Sequence, residues 1–145
     1  MLSKMGTWFF SDLTIKGKIM SKIEELSPLA LAFIGDAVHT LFVREQILNG
    51  KKDTLNTYNN NSKKFCNAQS QADALEKIFS ELSEEEQEIV RRARNTKPKH
   101  HAKNFDEKTY NKATSFETLV GYLYLSQQYD RLNELLSKTI IMEEK

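Results

Sequence analysis

Ser27-Pro28-Leu29-Ala30-Leu31-Ala32-Phe33-Ile34-Gly35-Asp36-Ala37-Val38-His39-Thr40-Leu41-Phe42-Val43-Arg44-Glu45-Gln46-Ile47-Leu48-Asn49-Gly50 is the stretch that decides the fold. Serine followed by proline is a helix start: the hydroxyl caps free backbone N–H groups, and the proline sits where no N–H is needed. Asn49-Gly50 is a helix stop, which leaves about twenty residues between two signed ends. At 100° per residue Leu29, Phe33, Thr40, Val43 and Ile47 fall on one side, and Ile34, Val38, Leu41 and Phe42 on the other. A helix apolar nearly all round is expected to be buried. Asp36 falls on the first of these faces, so its charge is expected to be paired, protonated or bound to a metal.

Working outward, the rest of the chain also reads as helical. A second helical region spans about Thr54 to Leu82, with Asn59-Asn60-Asn61-Ser62 as a candidate break. Ser83-Glu84-Glu85-Glu86 has the form of a capping box, and Arg91, Arg92 and Arg94 close that short helix in agreement with its dipole. Thr96 to Asn111 lacks periodic apolar residues and reads as a long basic loop. Two closing helices are expected near Ala113 to Gln127 and Asp130 to Met142. Hairpin signals are absent. The expected class is all-α, in one catalytic domain over 26–145 preceded by an extension over 1–25. The first nineteen residues lack helical pattern, and Met20 reads as the natural start.

The closing region repeats the anomaly of the first helix. Glu117 shares a face with Ala113, Val120 and Tyr124, and Gly121 lies one turn beyond it, as Gly35 precedes Asp36. A glycine inside a helix costs about 0.5 to 1 kcal/mol against alanine, so two of them suggest close approach of two backbones. If the helices cross there, the carboxylates meet. Magnesium favours oxygen ligands and often takes only one or two protein carboxylates, with water and substrate phosphate completing its shell. The competing reading is that Asp36 neutralises a cation such as Arg44.

From Arg91 to Lys103 the chain carries Arg91, Arg92, Arg94, Lys97, Lys99, His100, His101 and Lys103 without an acid. Such a run is an electrostatic footprint for a polyanion, set against the alternative of a solvated helix end. His100 and His101 with Asp106 also form a candidate metal group, which would suit an unrelated helical phosphohydrolase. His39, one turn after Asp36, is a weaker candidate ligand or proton carrier. The single cysteine, Cys66, excludes an internal disulfide and suits a reducing cytosol. No apolar run approaches the roughly 18 to 20 residues of a membrane span, so a cytoplasmic location is expected. The net charge of +1 decides nothing about partners.

Phe33-Ile34-Gly35-Asp36-Ala37-Val38 resembles the signature helix of the ribonuclease III family, and Thr114-Ser115-Phe116-Glu117-Thr118-Leu119-Val120-Gly121 resembles its second catalytic helix. The lead-in from Ser27 to Phe33, with Arg91-Arg92-Ala93-Arg94-Asn95, is similar to the short Mini-III branch. The resemblance implies the all-helical ribonuclease III fold and a homodimer acting on double-stranded RNA. It further implies Asp36 and Glu117 as catalytic residues holding magnesium, with manganese as a substitute, and products with 5′ phosphates and 3′ hydroxyls. For the Mini-III branch it implies maturation of large-subunit ribosomal RNA precursors without an appended RNA-binding domain. Ordinary ribonuclease III has further acids where this chain has Leu29, Ala32 and Thr114, so that wider acidic network is not carried over. Aromatic residues are common at the position of His39, and glycine at that of Ala93. The alternative function is a catalytically silent, ribosome-associated relative.

Overall fold

The computed structural model describes residues 23–50, 52–96 and 106–140. Among these residues all regular structure is helical, in the order α1 (Pro28–Leu48), α2 (Leu55–Lys63), α3 (Ala68–Ile78), α4 (Glu84–Arg94), α5 (Glu107–Leu125) and α6 (Tyr129–Thr139). Short 3-10 turns occupy Ile23–Glu25 and Phe79–Glu81. The all-α expectation is met. The extension before residue 23 and Lys97, Lys99, His100, His101 and Lys103 lie outside the described residues.

The ends of α1 obey their local chemistry. The Ser27 side chain accepts from the Ala30 N–H at 3.1 Å, Pro28 opens the helix, and Gly50 follows the Asn49 cap with a φ of 76°. The capping box of α4 is formed in both directions: Ser83 Oγ accepts from Glu86 N at 3.2 Å, and Glu86 Oε1 accepts from Ser83 N at 2.9 Å. Two boundaries differ from the sequence reading. The break in the second region falls at residues 64–67, after the asparagine run, where Asn67 caps α3 by accepting from Ser70 N at 2.9 Å. A capping side chain outweighs the weak helix propensity of consecutive asparagines. The start of α5 lies at Glu107, six residues earlier than the apolar pattern indicates, because Asp106 caps it by accepting from Lys108 N at 3.3 Å. The stretch Glu107 to Lys112 is therefore helix rather than loop.

Helix α5 is the central element, with Phe116, Leu119, Val120 and Leu123 each no more than 2% exposed. Against it pack α1, α3, α4 and α6, which contribute Phe42, Leu75, Ile78, Val90, Leu132, Leu135 and Leu136 to one core. The most extensive of these contacts is α1 on α5. No helix of the described residues is long and apolar enough to cross a membrane.

Candidate active site

The crossing of α1 and α5 is backbone against backbone. A Cβ added to Gly35 would sit 1.7 Å from the Glu117 carbonyl oxygen, and one added to Gly121 would sit 1.9 Å from that of Leu31. Neither distance is tolerable for any other residue, so the two glycines are reciprocal, each admitting the other helix's main chain. Thr118 fastens the same crossing: its hydroxyl lies 3.0 Å from the Pro28 carbonyl and 2.8 Å from the Thr114 carbonyl.

This approach brings Asp36 and Glu117 together as the glycine spacing anticipates. Burial pushes the Glu117 carboxyl up to about 9, and its hydrogen bond with Asp36 and the Asp36 charge push the same way. A hydrogen bond from Gln71 opposes them. Without a cation, the Glu117 carboxyl thus keeps its proton at neutral pH. Asp36 itself is exposed, which corrects the expectation that it lies on a buried face. The apolar residues beside it mislead: Leu29 is 40% and Phe33 79% exposed, and the buried side of α1 is formed by Leu31, Ala32, Gly35, His39, Phe42, Val43 and Ile47. Asp36 stands at the border between that side and solvent, and Glu117, half-buried, bears the desolvation.

Around the pair stand three groups. His39 is 2% exposed, edge-on to Phe116 with ring centroids 5.0 Å apart, and burial lowers it to about 4 against the raising effect of Asp36. It is a neutral core imidazole at physiological pH, which argues against a role as proton carrier. Gln71, 5% exposed, places its amide nitrogen 3.3 Å from His39 Nδ1. Sequence reasoning missed Gln71, because a glutamine inside a polar run carries no signal until the fold buries it. Cys66 is half-buried and close enough to feel both carboxylates, and burial raises its thiol, so it stays protonated and unreactive.

Among the described residues no group of three or more His, Cys, Asp or Glu converges, so the acids that meet here are Asp36 and Glu117. Two carboxylates from separate helices, one facing solvent, fit a hard divalent cation that keeps water and phosphate in its remaining positions. At the three positions where the resemblance implies further acids, Ala32 and Thr114 are buried and Leu29 is 40% exposed, and none carries a charge. Asp106 caps α5, so its carboxylate serves the backbone.

The basic residues that are described lie at the end of α4. Arg91, Arg92 and Arg94 are all exposed, and Arg91 is held by Glu88 through contacts of 2.8 and 2.5 Å. An exposed pair of this kind contributes about 0 to 1 kcal/mol, so it leaves Arg91 able to exchange Glu88 for a phosphate.

The model of the ribonuclease III domain matches residues 29–128, the span that contains α1, α5 and both carboxylates. The chain belongs to the ribonuclease III family. Its relatives place it on the Mini-III branch. It is 40% identical over 143 residues to the Mini-ribonuclease 3 of Thermoanaerobacter, covering 98% of each chain. It is 44% identical over 115 residues to that of Kosmotoga olearia, covering 79% of this chain and 78% of that one. A crystal structure of a Fusobacterium nucleatum protein superposes with a TM-score of 0.71 at 30% identity, over 80% of this chain and 93% of that one. As a ribonuclease III-family protein the chain falls among endoribonucleases, and the all-helical fold expected from the resemblance is the one observed.

Proposed function

We propose that the chain is a magnesium-dependent endoribonuclease that cuts double-stranded RNA, with Asp36 and Glu117 as its catalytic, metal-holding residues. The observation that carries this reading is the meeting of the two carboxylates where Gly35 and Gly121 let α1 and α5 touch. Helix glycines and a half-buried acid both cost stability, and a catalytic role accounts for both. Bound there, a divalent cation would activate water and offset charge at the scissile phosphate. The residues divide the remaining work. Asp36, open to solvent, is the acid a phosphodiester can reach, and Glu117 is held from behind by the fold. Arg91, Arg92 and Arg94 on α4, with Lys97, Lys99, His100 and Lys103 beyond it, supply phosphate affinity to the duplex.

The working unit is a homodimer, supported by apolar residues of α1 that the described residues leave exposed: Leu29, Phe33 and Leu41 are 40%, 79% and 53% exposed. Two sites related by a two-fold axis would face the two strands of a duplex. The natural substrate class is a structured ribosomal RNA precursor of the large subunit, cut to 5′-phosphate and 3′-hydroxyl ends in the cytoplasm, with manganese able to replace magnesium. The test is incubation of the protein with end-labelled duplex and single-stranded RNA, with and without magnesium. Cleavage confined to the duplex with magnesium is the expected result. Duplex binding without cleavage at any magnesium or manganese concentration overturns it in favour of a catalytically silent RNA-binding relative.

A further inference from the structure

The hydrogen bonds behind Glu117 form a path through three helices. Gln71 comes from α3, His39 from α1, and Glu117 with its neighbour Phe116 from α5. Gln71 is also a hydrogen-bond partner of the Glu117 side chain, and in a glutamine only the amide nitrogen can donate to a carboxylate. The same nitrogen lies 3.3 Å from His39 Nδ1. Its two hydrogens therefore have two acceptors, the Glu117 carboxylate and the lone pair of a neutral imidazole. Phe116, edge-on to the ring at 5.0 Å, holds the imidazole in place.

We propose that Gln71 is a positioning residue for Glu117, its amide clamped by His39 Nδ1 so that the donated hydrogen bond holds the carboxylate toward Asp36. Buried partners that orient a ligand are worth about 10- to 100-fold in metal affinity or activity when removed. Gln71 is 5% and His39 2% exposed, so neither reaches substrate and both act through Glu117. The chemistry also explains why a histidine serves here: an aromatic hydrocarbon would pack against Phe116 but offer Gln71 no acceptor.

This inference rests on the reading that Asp36 and Glu117 hold the cation. The test uses the full chain and manganese alone, with binding followed by electron paramagnetic resonance and folding by thermal melt. Gln71→Met, similar in length but without a donor, should weaken manganese binding about 10-fold or more. His39→Phe keeps the ring against Phe116 and loses the acceptor, and should weaken binding at least about 3-fold, a smaller loss because Gln71 itself remains. His39→Asn places a carbonyl oxygen near the position of Nδ1 and should bind manganese close to the unsubstituted level while melting lower, because it leaves a gap beside Phe116.

A role in packing alone gives the opposite order, with His39→Asn the poorer binder and His39→Phe unaffected, and that order overturns the proposal. A folded Gln71→Met chain binding within about twofold of the parent overturns it as well. If Gln71→Met does not fold, the order of the two His39 variants decides. Asp36→Asn separates the two levels. If it weakens manganese binding while the Gln71 and His39 variants do not, only the positioning role falls. If Asp36→Asn leaves binding unchanged, the metal reading falls and the positioning role with it.

Discussion

At the scale of single residues, Asp36 and Glu117, the proposed metal-holding pair, are unequally placed. Asp36 is exposed, whereas Glu117 is half-buried and pushed up to about 9 by burial and by Asp36. Replacing either acid by its amide removes a ligand charge without changing volume. Asp36→Asn and Glu117→Gln should each lower single-turnover cleavage of duplex RNA by orders of magnitude, and the double variant should be little worse than either alone. Duplex binding by gel shift should persist, because phosphate affinity comes from cations rather than acids. The melt should change little: Asp36 is at the surface, and Glu117 without metal is already uncharged at neutral pH. Near-normal cleavage in either single variant would remove the assignment. Neither role is visible from the other acid-rich segments of the chain, since Glu84, Glu85 and Glu86 lie in the first turn of α4, where their charge serves the helix dipole.

At the scale of elements, two joints hold the site and the fold around it. Gly121 sits where a methyl group would lie 1.9 Å from a backbone carbonyl, an obstacle that cannot rotate away. Alanine is the better helix former by about 0.5 to 1 kcal/mol, but overpacking costs about 1 to 3 kcal/mol and sits at the upper end against fixed backbone, so the clash decides the sign. Urea unfolding of Gly121→Ala should show that net loss, and a variant as stable as the parent would mean that the helices cross further apart.

The second joint is Glu86 with Arg131, whose guanidinium reaches both carboxylate oxygens at 2.9 and 2.8 Å and the Glu81 carbonyl at 2.7 Å, tying α6 to the start of α4. The hydrogen bond from Arg131 is the main reason that Glu86 lies below the usual glutamate range. A carboxyl depressed by folding contributes stability above its unfolded pKa of about 4.3 and loses it as pH falls through the lower folded value. Glu86→Gln should therefore cost about 1.5 to 3 kcal/mol at pH 7, with the melting gap from the parent closing below about pH 4. A gap that stays constant down to pH 3 would show that the charge of Glu86 is immaterial.

At the scale of the whole molecule, the proposed homodimer and the proposed hold on duplex RNA can be tested on the exposed apolar residues of α1 and on the basic residues that follow α4 in the sequence. Phe33 is 79% exposed among the described residues. Phe33→Asp should leave the monomer folded, remove about 1.5 to 3 kcal/mol of burial per copy from a two-fold interface, and halve the mass seen by light scattering. A dimer that survives the substitution would place the interface elsewhere. Neutralising Lys97, Lys99 and Lys103 together should weaken duplex binding and flatten its salt dependence, each lost phosphate contact removing roughly 0.7 to 0.9 from the log–log slope. Turnover at saturating RNA should hardly change. An unaltered slope would assign phosphate contact to Arg91, Arg92 and Arg94 instead.

What the sequence determined by itself was whatever depends on neighbours a few positions apart. Ser27-Pro28, Asn49-Gly50 and the Ser83–Glu86 box announced helix ends because capping is a contact within one turn. The acid-plus-glycine pairs announced the crossing, since two helix glycines and two acids on apolar faces have few common explanations. Tertiary structure alone decided which apolar side of α1 is core. Periodicity counts hydrophobic residues but does not distinguish burial within a chain from an uncovered surface, so Phe33 and Val43 look alike in the sequence, yet one is 79% and the other 0% exposed. Gln71 became legible only in space as well. It lies 32 residues from His39 in the chain, and its amide acquires meaning only when folding excludes the water that would otherwise satisfy it.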